Sequence, residues 1–132
     1  MLIRIDQSSA EPLYLQIRTQ IIAAIAREEI RPGFSLPSVR SLAGDLGINL
    51  HTVNKAYAVL RDEGYIVMRG RSGATIADPA TNASASSHAQ ATQQMEEALY
   101  NLALAHKARG GDAQGFATFV EKVLDIAFKE EN

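Results

Sequence analysis

Four polar side chains near the middle of the chain have the chemistry to recognise the edges of nucleic-acid bases. They are His51, Thr52, Asn54 and Lys55. All four lie off the apolar stripe of a helix that begins after Asn49, here termed the reading helix, and no acidic residue occurs between positions 46 and 61. Such side chains can hydrogen-bond to bases and phosphates without repulsion from a neighbouring carboxylate. The pattern predicts a helix that enters the major groove of DNA.

Polar and cationic residues on both sides of the reading helix extend this prediction. Ser38 and Arg40 stand at the start of a shorter helix that precedes it, and Asn49 stands at its cap. Arg69 and Arg71 lie at a glycine-rich hairpin turn, where they can reach phosphates or the minor groove. Each arginine also has an ordinary interpretation. Arg40 could be a solvated helix residue, and the hairpin pair could form a basic edge that deters strand pairing.

The reading helix belongs to a predicted helix-turn-helix. Its inward stripe follows helical spacing and consists of Val53, Ala56, Tyr57 and Leu60. A shorter helix over residues 39–46 comes before it, with Ser38 as its cap and Gly47 as its stop. A first helix is predicted over residues 13–29 from its apolar periodicity. Tyr57 falls on the buried stripe, so we interpret it as a core residue and not as a platform for stacking bases.

A β-hairpin follows the reading helix directly. β-Branched and aromatic residues predict strands over 65–69 and 74–77, joined by a turn over 70–73. A hairpin in this position is the wing of a winged helix. Residues 2–5 have two interpretations, an edge strand or a frayed terminus. The sequence therefore predicts an α+β fold, mainly α with a small β-hairpin, in which a winged helix-turn-helix domain spans residues 1–78.

Residues 79–132 are predicted to form a linker and an α-helical hairpin for dimerisation. Small and polar residues up to about Ser87 indicate a linker or, alternatively, the exposed start of the next helix. Two helices follow, separated by a break over residues 110–112. Alone they cannot bury so wide an apolar stripe, so they must pack on the winged helix, on a second copy of the chain or on both. Of these, a second copy is favoured, since two hairpins make a four-helix arrangement and a two-fold dimer. The residues expected at the dimer interface are Met95, Leu99, Leu102, Phe116, Phe119 and Val123.

The composition limits the classes of function. The 132 residues carry 13 Lys and Arg against 15 Asp and Glu, so the net charge of −2 does not by itself indicate a nucleic-acid partner. The positive excess is local: residues 31–78 hold six basic and four acidic side chains. The absence of cysteine excludes disulfides and fits a reducing cytoplasm. No signal peptide or membrane-spanning run is recognisable, so we expect a cytoplasmic protein without a membrane partner.

No catalytic or cofactor-binding pattern is recognisable in the sequence. The histidines His51, His88 and His106 have no metal-ligand spacing, so we expect neither a metal nor another cofactor. The glycine turn over residues 70–73 lacks the length and the lysine of a phosphate-binding loop. No pairing of a nucleophile with a base emerges, and an enzyme is not expected.

Five motifs, taken in chain order, resemble those of the GntR family of bacterial transcription regulators. They span residues 12–17, 30–33, 36–43, 49–57 and 63–66. The short tail of two helices is similar to that of the YtrA-type subfamily, which lacks the large effector domains of its relatives. The resemblance implies a homodimeric repressor that binds a palindromic operator in double-stranded DNA.

The resemblance also implies which residues contact the operator. From the two helices these are Arg40, Thr52, Asn54 and Lys55, and from the wing they are Arg69, Gly70, Arg71 and Gly73. Two positions depart from the family pattern. Leu50 replaces a frequent proline, which makes the entry to the reading helix less rigid. Residues 73–76 replace the usual glycine-threonine-phenylalanine, which weakens the expectation that the wing contacts the minor groove.

Two other classes of function stay open. A winged helix can dock a protein partner, although the acid-free face of the reading helix argues against this. A ligand sensor would need an effector pocket in the tail, and a two-helix tail has little volume for a pocket of ~300 Å³ unless a dimer forms it. The identity of any small-molecule effector is unknown.

Overall fold

The computed structural model describes residues 2–70, 73–82 and 85–129 of the chain. The chain divides into two compact units, residues 1–83 and residues 84–132. The fold is mainly α with one two-stranded antiparallel hairpin, as the sequence predicts.

The described residues form six helices and two strands. The first unit contains α1 (Leu13–Ala26), α2 (Val39–Leu46), α3 (Leu50–Asp62), β1 (Ile66–Met68), β2 (Ala74–Ile76) and α4 (Pro79–Asn82). The second unit contains α5 (Ala85–Ala108) and α6 (Ala113–Phe128). The reading helix is α3, and its position after α2 confirms the predicted helix-turn-helix.

Helix α1 ends three residues before the predicted Glu29, because the chain turns to bury Ile30. Glu28 adopts a left-handed backbone with φ of 59°, and the N–H of Glu29 donates to the carbonyl of Ala24 at 2.9 Å. The reversal carries Ile30 into the core, where it is 2% exposed. Burial of that side chain compensates for the unfavourable backbone of Glu28.

Helices α1 and α3 pack against each other at the centre of the core of the first unit. Their fully buried side chains are Ile17, Ile21, Val53, Ala56, Tyr57 and Leu60. The α3 members of this set are the four residues predicted from helical spacing. The hydroxyl of Tyr57 donates a hydrogen bond of 2.7 Å to the carbonyl of Pro37, so α3 is also tied to the segment that leads into α2.

Helix α2 begins and ends at the predicted residues. The Ser38 side chain caps its first turn, and Gly47 ends it with a φ of 68°. A side chain is strained at that backbone angle, whereas glycine is not. Ile48 then packs, half-buried, against the core and anchors the turn before α3.

The wing is broader than the hairpin that the sequence predicts. β1 and β2 pair in antiparallel register with Met68 opposite Ala74, and each is shorter than expected. The segment over residues 33–36 pairs with the other edge of β2. The Leu36 N–H donates to the Ala74 carbonyl at 2.8 Å, and the Ile76 N–H donates to the Phe34 carbonyl at 2.9 Å. The segment before α2 is therefore joined to the wing through its main chain.

The N-terminal segment is neither of the two structures that the sequence suggested. Residues 2–5 form no strand, yet Ile3 is buried in the core. Two glutamines of α1 hold this segment by pairing their side-chain amides with its main chain. Gln20 accepts from the Arg4 N–H at 2.9 Å and donates to the Arg4 carbonyl at 2.7 Å, and Gln16 does the same with Asp6. The side-chain amides of the two glutamines thus supply the main-chain hydrogen bonds that a neighbouring strand would otherwise supply.

The second unit is an α-helical hairpin whose first helix is longer than predicted. α5 begins at Ala85, within the region up to about Ser87 for which the sequence offers a linker or the exposed start of the next helix, and α4 precedes it over Pro79–Asn82. Asp112 caps α6 by accepting from the Gly115 N–H at 2.8 Å. A Cβ added to Gly111 would lie 2.1 Å from Nε2 of His106, so the turn requires glycine there. Among the described helices, none combines the length and apolar character that a membrane span requires.

Replacing Tyr57 with phenylalanine tests the link between α3 and Pro37. We expect the free energy of unfolding at pH 7 to fall by about 1–2 kcal/mol, because the Pro37 carbonyl loses its donor. Burial raises the pKa of Tyr57 to about 12, above its value of about 10 in the unfolded chain. The protonated Tyr57 hydroxyl therefore contributes its full share to the free energy of unfolding below about pH 10, and this share is lost as the pH rises towards 12.

Urea unfolding at pH 7 and across the alkaline range measures both effects. The Tyr57→Phe protein should show a flatter loss of stability between about pH 10 and 12 than the wild type. Tyr100→Phe, at an exposed position of α5, serves as the control and should change neither quantity. If the free energy of unfolding falls equally steeply with pH in the wild type and in Tyr57→Phe, the role given to the Tyr57 hydroxyl is wrong.

Candidate nucleic-acid interface

Helix α3 presents the polar face that the sequence predicts. His51, Asn54 and Lys55 are exposed, and Thr52 is half-buried. The opposite face is locked into the core, with Val53 fully buried. Because that face fixes the rotation of the helix about its axis, the four polar residues must point outward together.

The ammonium group of Lys55 rests on an aromatic ring of α1. Its Nζ lies 4.1 Å from the centroid of the Tyr14 ring, within the range of a cation–π interaction. The contact restricts the lysine while leaving it exposed, so its charge is held near the start of the α3 face. Sequence reasoning missed Tyr14, since no spacing rule relates residues on two different helices.

Two of the predicted site residues use their side-chain oxygens to cap helices. Oδ1 of Asn49 accepts from the His51 N–H at 2.7 Å, and Oγ of Ser38 accepts from the Ser41 N–H at 3.0 Å. Both side chains are exposed beside the polar face of α3 or the start of α2. Their capping role is therefore established locally, and any contact with a ligand must be made in addition to it.

A shallow depression joins the first turn of α2, the first turn of α3 and the wing. Its volume is about 280 Å³, and it is lined by Ser38, Val39, Arg40, Leu50, Tyr57, Met68, Gly70, Gly73 and Ala74. The structure thus brings four predicted site residues to one place, namely Ser38, Arg40, Gly70 and Gly73. The apolar side chains of Leu50 and Met68, which also line it, were not singled out as contact residues by the sequence.

The wing positions its arginine through main-chain and side-chain contacts. The Arg69 N–H donates to the Gly73 carbonyl across the turn, and its Nε donates to Oγ1 of Thr75 at 3.3 Å. Arg69 is exposed. Arg71, the other predicted wing contact, lies outside the described residues.

The acidic side chains at the C-terminal end of α3 are paired with arginines. Arg61 lies 3.0 Å from Asp62, its neighbour in the chain, and forms a local ion pair with it. Arg18 of α1 makes a two-pronged contact with Glu63, with the shorter distance 2.6 Å, and this hydrogen bond raises the pKa of Arg18. Exposed pairs of this kind contribute little stability, but they offset negative charge beside the candidate interface.

The residues expected at a dimer interface lie on the second unit. Five of them are 45–60% exposed in the single chain, namely Met95, Leu99, Leu102, Phe119 and Val123. Phe116 is half-buried, with its ring centroid 5.8 Å from that of His106. Phe116 therefore stabilises the hairpin itself.

A second depression lies at the turn of this hairpin. Its volume is about 520 Å³, and its lining includes His106, Lys107, Asp112 and Phe116. The described residues contain no group of three or more histidine, cysteine or acidic side chains that could hold a metal ion.

Comparison with known proteins links this geometry to bacterial regulators. The model of the family described as bacterial regulatory proteins, gntR family, matches residues 13–76. A solved structure of YtrA from Sulfolobus acidocaldarius, a GntR-family transcription factor, is 40% identical. It superposes with a TM-score of 0.63 and covers 80% of this chain and 99% of its own.

Two curated relatives match a little over half of this chain. An HTH-type transcriptional regulator of Mycobacterium tuberculosis is 40% identical over 74 residues, which are 56% of this chain and 61% of the relative. The HTH-type transcriptional repressor YtrA of Bacillus subtilis is 44% identical over 71 residues, 53% of this chain and 55% of the relative. The matched part of this chain therefore spans a little over half the length of each of these relatives.

Two substitutions of Asn49 test its role as a cap separately from its exposed position. Asn49→Ala should lower the free energy of unfolding by about 1 kcal/mol, because the His51 N–H loses its partner. Asn49→Asp should keep the stability of the wild type, since aspartate is an equally good cap. Urea unfolding of the three proteins measures the difference, and equal stability of the wild type and Asn49→Ala would show that the cap contributes nothing.

Proposed function

This chain belongs to the GntR family of bacterial regulatory proteins, and we propose that it is a transcription regulator that binds an operator in double-stranded DNA. α3 enters the major groove, Arg40 approaches from the start of α2, and the wing contacts the adjacent backbone. His51, Thr52 and Asn54 face the base edges. We propose that the protein is cytoplasmic, because the operator DNA of a bacterial regulator lies in the cytoplasm.

The observation that carries this proposal is the outward face of α3 and its surroundings. No acidic residue lies among the exposed polar residues at the start of α3. The carboxylates at the other end of the helix are paired with arginines. Such a face can approach phosphates without repulsion, while its amide, hydroxyl and imidazole groups match base edges. Lys55 adds a cation that is already restrained by Tyr14, so ordering it on DNA costs less entropy.

We further propose that the second unit pairs two copies of the chain. Its exposed apolar side chains, which include Leu99, Leu102, Phe119 and Val123, form a wider apolar surface than two helices can bury between themselves. Large exposed apolar patches on soluble proteins mark interaction surfaces, and two such hairpins can bury each other as a four-helix arrangement. The resulting two-fold symmetry fits a palindromic operator.

Repression follows if the dimer occupies promoter DNA and blocks the polymerase. The two half-sites would be separated by about one helical turn, ~34 Å, or slightly more. The relative from Bacillus subtilis carries the name of a repressor, which supports this assignment without extending to its operator. Footprinting on duplexes selected from a random library would locate the half-sites.

Alanine substitutions of Arg40 and Lys55 test the interface. Each should weaken operator binding, because each removes a cation near the phosphates, and Lys107→Ala in the second unit should leave affinity unchanged.

With about four phosphate contacts per protomer, log K should fall with log salt at a slope of about −7 for the dimer. Lys55→Ala should reduce that slope by about 2, one contact in each protomer. Fluorescence anisotropy over a salt series measures all of these values.

The assignment of both residues fails if the two variants bind the operator like the wild type. Thermal unfolding of each variant provides the necessary control, since Lys55→Ala also removes the contact with Tyr14. If the wild type binds DNA weakly and with an affinity that does not change with salt concentration, a protein partner is favoured over DNA.

An acidic substitution at Val123 tests the pairing of the second units. Val123 is 60% exposed in the single chain, so Val123→Asp should fold normally but place a charge in the proposed interface. We expect a monomer by light scattering and weaker operator binding. Thr118→Asp, an equal change of charge at another exposed position of α6, should remain dimeric. A Val123→Asp protein that stays dimeric would contradict the proposed interface.

A further inference from the structure

Leu50 is an apolar side chain in a position where the polar face of α3 begins. It is the first residue of α3 and is 37% exposed. More than a third of its surface thus stays accessible in the folded first unit. A leucine here leaves apolar surface open beside the polar face of α3.

Leu50 lines the depression of about 280 Å³ that joins α2, α3 and the wing. Met68, which is also 37% exposed, lines the same depression, so two accessible apolar side chains meet there. Arg40 contributes a guanidinium group to the lining, and no acidic residue takes part in it. The site thus combines an apolar surface with a cation, at the first turn of the helix that we place in the major groove.

We propose that Leu50 reads the 5-methyl group of a thymine in each operator half-site, an inference that rests on the proposed function of α3. Thymine alone among the four bases presents an apolar group in the major groove. Leucine has no donor or acceptor, so an adenine or cytosine amino group placed against it would lose its hydrogen bonds to water. Leu50 is therefore a specificity-determining residue that favours thymine by contact and disfavours polar base edges by desolvation.

The charge of the depression supports DNA as its occupant. Arg40 can pair with a phosphate or a guanine beside the thymine, and the lining offers no carboxylate to repel the backbone. A leucine and an arginine in one depression therefore fit a thymine whose neighbour supplies an acceptor. Met68 can complete the apolar surface around the methyl group, since its flexible side chain adapts to irregular shapes.

Replacement of single thymines by uracil tests this proposal directly, because it deletes the methyl group and keeps the base pairing. A duplex would first be selected from a random library with the wild-type chain. Each thymine of one half-site would then be changed to uracil, one at a time. At one position the wild type should lose about fourfold in affinity, the value expected for one buried methyl group.

The Leu50→Ala protein should bind the thymine duplex about as weakly as the wild type binds a duplex with uracil at that position in both half-sites, since the substitution acts in each protomer. It should lose nothing more when that thymine is changed to uracil. Leu50→Met should keep part of the sensitivity to the methyl group, which separates apolar contact from a folding defect. Leu2→Ala, at an exposed leucine of the same unit, should behave like the wild type throughout. Thermal unfolding would check that all variants are folded.

The outcomes distinguish this inference from the proposed function. A wild type that tolerates uracil at every position overturns the role of Leu50 while leaving DNA binding intact. An equal loss in the wild type and Leu50→Ala shows that another residue reads the methyl group, which also overturns it. If selection yields no preferred duplex at all, the proposed function itself fails.

Discussion

The packing of α3 on α1 is the constraint on which the rest of the first unit depends. Tyr57 and Leu60 of α3 are buried against Ile17 and Ile21 of α1, with at most 1% of each side chain exposed. Interiors are packed too densely for a helix to rotate by even one residue without opening cavities. The identity of the outward residues is therefore fixed by the inward ones, and the polar face of α3 is a consequence of its apolar stripe.

The elements that the sequence predicted correctly depend on local rules. The caps at Ser38 and Asn49 and the glycine at position 47 each act within a few residues, so their patterns can be recognised before any tertiary structure is known. The stripe of α3 is likewise a matter of helical period. For this reason the bounds of α2 and the start of α3 agree with the structure, and the outward residues of α3 were identified in advance.

The features that the sequence did not predict involve partners distant in the chain. The amides of Gln16 and Gln20 hold residues 4–6, and the ring of Tyr14 holds Lys55, some forty positions away. The early end of α1 has the same origin, because only the assembled core provides a place for Ile30. At residues 85–87 the composition left two interpretations open, because small residues that are typical of a linker are also compatible with the helix found there.

The main-chain pairing of residues 33–36 with β2 has a mechanical consequence. These residues run straight into the cap of α2 at Ser38, so the wing and the first turn of α2 share one continuous hydrogen-bonded path. Because of these hydrogen bonds, a shift of β2 would carry residues 33–36 with it, towards the start of α2 where Arg40 stands. On a duplex whose minor groove is narrower or wider, the two would have to shift together, so discrimination by DNA shape would be built into the main chain.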